Sequence, residues 1–127
     1  MSAVTTKGAT PAERGSASIL MVGVMAVVVT LTSAALVIAG YATSYHQARA
    51  AADLSALSGA AAFEHGRDAC AQARQTARQN GARVDRCGLV GDAIDFVVTV
   101  RVSVAARTRV PQLPKQVAAE AHAGPVR

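Results

Sequence analysis

Charge is missing from a long stretch of this 127-residue chain. No Asp, Glu, Lys or Arg lies between Ser16 and Gln47, and the most apolar part, residues 19–39, is longer than the roughly 7–15 residues of a signal-peptide core. A bilayer core needs roughly 20 apolar residues in a helix. The sequence therefore predicts a single transmembrane helix over residues 16–45. A signal peptide and a buried core helix remain the alternatives.

Aromatic residues and proline are scarce as well. The chain has no Trp, and its only Tyr and Phe residues are Tyr41, Tyr45, Phe63 and Phe96. Beyond Tyr45 a small domain must build its core from Ala and Val, so we expect it to need a partner, the continuing helix or a disulfide for stability. Because no Pro occurs between Pro11 and Pro111, nothing forces the helix to end at the membrane surface.

The basic residues that flank the apolar segment predict its orientation. Lys7 and Arg14 precede it, whereas Arg49 follows it and is balanced by Asp53. The positive-inside rule then places the N-terminus in the cytoplasm. We expect residues 1–15 to be an irregular cytoplasmic tail or a leader. Residues 46–127 would form an extracytoplasmic α+β domain of a single-pass protein of the cytoplasmic membrane.

Two cysteines, Cys70 and Cys87, lie on the predicted outer side. In an oxidising compartment they would form a disulfide, and closing a loop of this length contributes about 3 kcal/mol. Two unpaired thiols are the alternative. A metal site with His65 or His122 is disfavoured because no CxxC or HxxxH spacing is present.

The remaining pattern predicts a long helix, a short helix and an antiparallel meander. We expect one helix from residue 17 to residue 63, on which the larger apolar residues Leu54, Leu57 and Phe63 have spacings compatible with one face. Residues 67–80 predict a short second helix whose Ala73 and Ala77 pack against the first.

Three strands would follow the second helix. Residues 83–89 and 94–105 predict two strands, and alternating Val residues give the second strand one apolar face. Asp92 and Asp95 lie at the turn between them, where we expect them to cap or solvate it. Residues 116–123 are ambiguous between a helix and a strand, and an edge strand is favoured.

Motifs of catalysis and binding are absent from the sequence. There is no GxSxG, Walker loop, GxGxxG, HExxH or CxxC. From His46 onward the chain has eleven Lys and Arg residues and seven Asp and Glu residues. No run of basic residues and no interleaved aromatic residues indicate a nucleic-acid site. We therefore expect a non-catalytic protein without cofactor, metal or small-molecule substrate, and nucleic-acid binding is disfavoured.

The head of the apolar helix resembles a known processing site. Residues 13–18 (ERGSAS), a charged tail that ends at Gly15 before the apolar run, resemble the processing site of type IV pilins and, more closely, that of the TadE/TadG-like minor pilins of Flp (Tad) pilus systems. The latter often have RGSA before their helix, as at positions 14–17 here. The resemblance implies cleavage after Gly15, which would leave Ser16 as the new N-terminus. The sequence departs from the pilins at Leu20, where they carry Glu. This departure favours an anchored accessory subunit over a filament subunit and leaves the cleavage open.

A second segment extends the resemblance. His46–Ser58 (HQARAAADLSALS) is similar to a segment of actinobacterial TadE-like proteins encoded near helicase and secretion genes, and the likeness covers residues 13–126 motif by motif. It implies a pilin-like fold and a minor-pilin-like component of a Tad pilus assembly or secretion system. The implied partners are other Tad membrane proteins, including other TadE/TadG-like subunits.

Small residues of the anchor would contact the membrane helices of these partners. We expect this role for Gly23, Ala26, Ala34, Ala35 and Gly40. Two other functions stay open at this point. One is a secreted or surface effector released after processing, and the other is a basic, DNA-binding pilin-like module.

Overall fold

Two helices and three strands follow one another along the chain. The computed structural model describes residues 11–125, with side chains from Gly15 onward. Its elements are α1 (Pro11–Glu64), α2 (Ala69–Gln79), β1 (Arg83–Gly91), β2 (Phe96–Ala105) and β3 (Gln116–Ala123). The strands form one antiparallel sheet in the order β1-β2-β3. The α+β class, the long and short helices and the three-stranded meander are thus confirmed, including the strand character of β3.

The chain divides into two compact units, a first unit that ends at Leu36 and a second unit that begins at Val37. Helix α1 begins at Pro11, earlier than the start expected near Ser16. Proline suits the first turn because its missing N–H would be unpaired there in any case. Residues 11–14 are therefore helical, whereas the tail prediction for residues 1–10, including Lys7, lies outside the described residues. The domain limit expected after residue 45 refers to the membrane surface and stays a prediction.

Polar side chains of the first unit are satisfied within the helix. The hydroxyls of Thr30, Thr32 and Ser33 each donate to the carbonyl four residues earlier, at 2.8 Å. These bonds turn the hydroxyl protons inward to the helix backbone. Every residue from Gly15 to Leu36 is exposed. The described surface of this unit, from Gly15 to Leu36, is therefore almost entirely apolar.

The core of the second unit lies on the inner face of the sheet. Val98, Val100 and Val102 of β2 are fully buried, and Phe96 and Val104 continue this face. The alternation predicted for β2 is confirmed by this pattern. On β3, the residues paired with the three central valines are Ala123, Ala121 and Ala119. The core is therefore valine along its centre and alanine along its edge.

Small residues form the buried face of α1 in this unit. They are Ser44, Ala48, Ala51, Ala52, Ser55, Ala56, Gly59, Ala60 and Ala62. The larger Leu54 and Leu57 are 48% and 61% exposed, so they do not share the buried face with Phe63 as their spacing suggested. The reason is that α1 lies very close to α2 and to the sheet on its buried face. A Cβ atom at Gly59 would lie 3.0 Å from the Ala69 carbonyl oxygen and 3.3 Å from Val98 Cγ1, which leaves no space for a larger side chain.

Phe63 packs at the C-terminal end of α1. Its ring meets the ring of Phe96 edge-on, with 4.6 Å between the ring centroids. Edge-to-face contacts of this kind are favoured by the ring quadrupoles. Of the three larger apolar residues considered for the buried face, Phe63 is the one that packs against the core.

Helix α2 packs through the face that the sequence predicted. Its buried residues are Ala69, Ala73 and Ala77. Asp68 caps the helix by accepting a hydrogen bond from the Ala71 N–H at 2.9 Å, so the helix begins later than residue 67. The Ser58 hydroxyl donates to Thr76 Oγ1 at 2.8 Å. This bond joins α2 to α1.

A disulfide joins α2 to the edge strand β1. It links Cys70 and Cys87, whose Cα atoms are 5.8 Å apart and which are separated by 17 residues. Closing a loop of that size contributes about 3 kcal/mol by restricting the unfolded chain. This is a large contribution for a core made mainly of Ala and Val.

Candidate functional site

The uncovered apolar helix is the first candidate functional feature. Among the described residues, one helical segment, Gly15–Glu64, is long and apolar enough to cross a membrane, judged by length and composition. Its large exposed apolar residues in the first unit are Ile19, Leu20, Met21, Val22, Val24, Met25, Val27, Val28, Val29, Leu31 and Leu36. Exposing apolar surface to water costs about 25 cal/mol per Å². A lipid or protein environment is therefore strongly favoured for this segment.

Most residues predicted for processing and helix packing lie on this surface. Gly15 and Ser16 are exposed and lie within α1, not at its first residue. The exposed small residues are Gly23, Ala26, Ala34 and Ala35. Gly23 forms a shallow apolar depression of about 440 Å³, and its other lining residues are Leu20, Val24, Val27 and Val28. Cleavage after Gly15 and packing against partner helices stay predictions.

Gly40, the fifth residue predicted for helix packing, contacts the chain itself. It belongs to the second unit, and a Cβ atom at this position would lie 2.6 Å from the Arg107 carbonyl oxygen. The Arg107 N–H donates to the buried Ser44 hydroxyl at 2.9 Å, which in turn donates to the Gly40 carbonyl at 3.1 Å. Gly40 and Ser44 thus hold the connection between β2 and β3 against α1.

This connection, residues 106–115, is called the basic loop here because it carries Arg107, Arg109 and Lys115. It borders an apolar groove of about 580 Å³, lined by Val37, Ile38, Tyr41, Ala42, Tyr45, His46, Leu113 and Pro114. A second hollow of about 430 Å³ is lined by Ala106, Thr108, Arg109, Val110, Pro111 and Lys115. Sequence reasoning missed this site. The available signal was a glycine and a serine four residues apart on one helix face.

Charged side chains occupy the outer face of the sheet. The strand register aligns Arg86, Arg101 and Glu120 in one row. Nearby, Arg83 pairs with Asp85 at 3.6 Å, and His122 approaches Glu120 at 3.5 Å. Exposed pairs of this kind contribute about 0–1 kcal/mol each. This face is therefore a hydrated charged surface.

The histidines considered for a metal site have other contacts. His65 Nδ1 lies 2.7 Å from the Ala61 carbonyl oxygen, and His122 Nδ1 lies 2.8 Å from Thr99 Oγ1. Both cysteines are held in the disulfide. In the part of the chain that the structure describes, no three His, Cys, Asp or Glu side chains are grouped to hold a metal ion.

The turn between β1 and β2 is held by one carboxylate. Asp92 Oδ1 accepts hydrogen bonds from the Ile94 N–H at 2.9 Å and the Asp95 N–H at 2.8 Å. These bonds, the one from Asp95 foremost, lower the pKa of the Asp92 carboxyl below its ordinary value. The expectation that Asp92 caps this turn is confirmed.

An exposed apolar cluster surrounds the same turn. This hairpin cluster consists of Val90, Ile94 and Val97. Val90 and Ile94 are 75% and 76% exposed, and the register pairs Val90 with Val97 on neighbouring strands. Grouped apolar side chains on a protein surface are typical of a contact with another molecule.

Comparison with known proteins gives no relative from which a function could be carried over. Neither the protein-family models, nor the curated proteins, nor the solved structures compared with the chain gave a match. Over residues 11–125, the chain is an α+β protein with one candidate membrane-spanning helix and a second unit that contains a disulfide.

Proposed function

We propose that this chain is a non-catalytic, single-pass protein of the cytoplasmic membrane and a minor-pilin-like component of a Tad (Flp) pilus assembly or secretion system. The observation that carries the anchoring part is the uncovered apolar surface of α1 from Gly15 to Leu36. The same helix supplies the small-residue face against which the sheet packs. Anchor and folded unit would therefore share one helix, which suits a tethered subunit.

The disulfide supports a location of the second unit outside the cytoplasm. Structural disulfides persist in oxidising compartments and are rare in the cytosol. The Cys70–Cys87 link joins two elements of a small core that has few large apolar side chains. The charges before the apolar run, Lys7 and Arg14, favour the same orientation. Both observations agree with an N-terminus inside and a second unit outside.

Two exposed surfaces suit protein partners. The small residues at positions 23, 26, 34 and 35 would allow the helix of another membrane protein to approach closely. The hairpin cluster offers an apolar contact to a partner outside the membrane. These surfaces are where we expect other Tad membrane subunits to bind.

The assignment to a Tad system is supported by the sequence likeness alone. This likeness lies in the RGSA residues before the apolar run and in the segment His46–Ser58. Leu20, where pilins carry Glu, favours an accessory role over a place in the filament shaft, because an unpaired carboxylate in hydrocarbon is costly and its absence makes a single anchored copy easier to keep.

Membrane fractionation followed by intact-mass analysis tests the anchoring. We expect the full chain to stay in carbonate-washed membranes, with a mass that begins either at Met1 or, after processing, at Ser16. Iodoacetamide should leave both cysteines unmodified until a reductant is added. Recovery of the chain mainly in the medium would contradict anchoring and support the effector alternative.

Site-specific photo-crosslinking tests the partners. A photoreactive side chain at Ala34 should capture Tad-type membrane subunits, and one at Ile94 should capture an extracytoplasmic subunit. The matched control is Gln75, an exposed polar position on α2, from which we expect little capture. Capture of lipid alone from Ala34, together with none from Ile94, would contradict an assembly role.

A further inference from the structure

The basic loop concentrates positive charge without a compensating carboxylate. It carries Arg107, Arg109 and Lys115, and no Asp or Glu occurs anywhere from Phe96 to Ala119. All three basic residues are exposed. No ion pair within the described residues involves them at the salt-bridge distance. A loop of this kind attracts anions.

The same loop is fixed to the last residues of the apolar run. The Arg107 backbone lies against Gly40 and donates to Ser44, and both residues belong to the uncharged stretch that ends at Gln47. Tyr41 and Tyr45 lie on this part of α1 and line the groove beside the loop. Tyrosines are enriched where a membrane helix meets the head-group region. If α1 crosses the membrane, the basic loop lies at the level of the lipid head groups.

Two surfaces to which the loop contributes, through the consecutive residues Pro114 and Lys115, have opposite chemistry. Leu113 and Pro114 face the apolar groove with Ile38 and Tyr41. Arg109 and Lys115 instead line the hollow within the loop itself. An apolar groove beside a cationic hollow matches an amphiphile that has an acyl chain and an anionic head group.

We propose that the basic loop binds anionic phospholipid, with the head-group phosphate at Arg109 and Lys115 and the upper acyl chain along Ile38, Tyr41 and Leu113. This inference rests on the proposed membrane anchor. A nucleic acid would use the cations but would leave the aliphatic part of the groove empty, so lipid is the occupant that accounts for both surfaces. The contact would hold the second unit close to the bilayer surface.

A tryptophan probe in the full chain tests the proposal. Because the chain has no Trp, Leu113→Trp places one fluorophore at the groove. We compare vesicles of phosphatidylcholine alone with vesicles that also contain phosphatidylglycerol, and we quench with lipids that carry a doxyl group near the head group. The expected result is blue-shifted emission and stronger quenching in the presence of phosphatidylglycerol. A probe at Val97→Trp, on the outer face of the sheet, should stay unquenched in both.

Removing the charges of the loop should weaken this lipid preference. The triple variant Arg107→Gln, Arg109→Gln and Lys115→Gln should lower the quenching by about threefold or more, since each basic residue near an anionic surface favours binding by roughly fivefold. A control variant removes the same charge from the outer face of the sheet, by glutamine at Arg83, Arg86 and Arg101. It should leave the quenching unchanged.

Vesicle flotation distinguishes the failure of this inference from the failure of the anchor. If the chain does not float with either vesicle, the proposed membrane anchor is wrong. If it floats and the Leu113→Trp probe is unquenched, or is quenched equally with and without phosphatidylglycerol, the anchor stands and lipid binding by the loop is overturned.

Trypsin cleavage of the unsubstituted chain gives a second measurement that needs no variant. Cleavage after Arg107, Arg109 and Lys115 should slow by about threefold or more in phosphatidylglycerol vesicles, relative to cleavage after Arg83 and Arg86. Equal slowing at both sets of sites would contradict the proposal. Protection of the loop by duplex DNA in phosphatidylcholine vesicles, without protection by phosphatidylglycerol, would assign it to nucleic acid instead.

Discussion

Helix α1 exposes large apolar residues in the first unit and buries small ones in the second. From Ile19 to Leu36 its exposed side chains include Val, Leu, Ile and Met, whereas from Ser44 to Ala62 its buried residues are Ala, Ser and Gly. In the second unit, small residues let the sheet come close to the helix. In the first unit, large apolar residues are favourable only if the surroundings are themselves apolar. The described part of the first unit therefore suits apolar surroundings, whereas α1 in the second unit suits close packing against a sheet.

Charge placed in the first unit should have the largest effect. Val27→Arg with Leu31→Arg should abolish membrane retention, because two arginines in the centre of a spanning helix cost roughly 5–7 kcal/mol for insertion. Carbonate extraction of membranes measures the retained fraction. The matched change in the second unit, Leu54→Arg with Leu57→Arg, alters side chains exposed outside the core and should leave retention unchanged. Equal loss in both variants would remove the distinction between the units.

Removal of the disulfide should have the next largest effect, and this effect should be confined to the stability of the second unit. Cys70→Ala with Cys87→Ala should lower the free energy of unfolding by about 3 kcal/mol. Circular dichroism of the purified chain in detergent, followed through thermal unfolding, measures the change. Membrane retention serves as the control and should stay the same. An unchanged melting temperature would show that the bond does not contribute to the stability of this unit.

Enlarging the small-residue face should destabilise the second unit through overpacking. Ala52 is fully buried, and Ala52→Leu should cost about 1–3 kcal/mol because the sheet cannot move away without losing its other contacts. The exposed Leu57→Ala should change the stability by about 0.5 kcal/mol or less. Thermal unfolding of the two variants checks the difference. A larger loss for Leu57→Ala than for Ala52→Leu would reverse the assignment of the two faces.

Ser55 offers a smaller change of opposite sign. Its hydroxyl is buried and has no hydrogen-bond partner. Ser55→Ala should therefore raise the free energy of unfolding by about 1 kcal/mol, since it removes an unsatisfied polar group and places a better helix former. The control is Ser58→Ala, which deletes the bond to Thr76 and should lower stability. A loss of stability in Ser55→Ala would indicate a bound water or a partner at this hydroxyl.

The smallest effect concerns the pH dependence of the hairpin turn. Because the pKa of Asp92 is lowered in the folded chain, its contribution is fully present above the ordinary carboxyl pKa and is lost as the pH falls through the folded value. Asp92→Asn should remove this part of the acid dependence. Carboxyl-detected NMR titration checks the direction. A pKa at or above the ordinary value would contradict the capping bonds from Ile94 and Asp95.

Much of this fold could be predicted because each element has its own local pattern. The alternating valines of β2, the alanines at every fourth position of α2 and the uncharged run of α1 each report one periodicity. The face that α1 presents to the sheet could not be predicted in the same way. Leu54 and Leu57 have a helical spacing as good as that of Ala52 and Ala56, and the choice between the two faces depends on how closely the sheet approaches.

The candidate loop site depends on contacts between distant parts of the chain. The sequence predicts that Gly40 contacts the helix of another protein. In the structure, the Arg107 backbone, 67 positions further on, occupies the space beside it. Local patterns carry no information about such a partner. The sequence shows that the loop is rich in basic residues. It does not show that they lie beside Tyr41, because that position depends on the contacts of Arg107 with Gly40 and Ser44.

Protease accessibility in sealed, right-side-out membrane vesicles tests the central claim most directly. The full chain carries a C-terminal tag, and the membranes are washed with carbonate only after digestion. The account predicts that added protease removes the tag while a fragment containing the apolar run of α1 stays in the membrane. A chain that is washed from the vesicles, or a tag that stays protected until detergent is added, would contradict it.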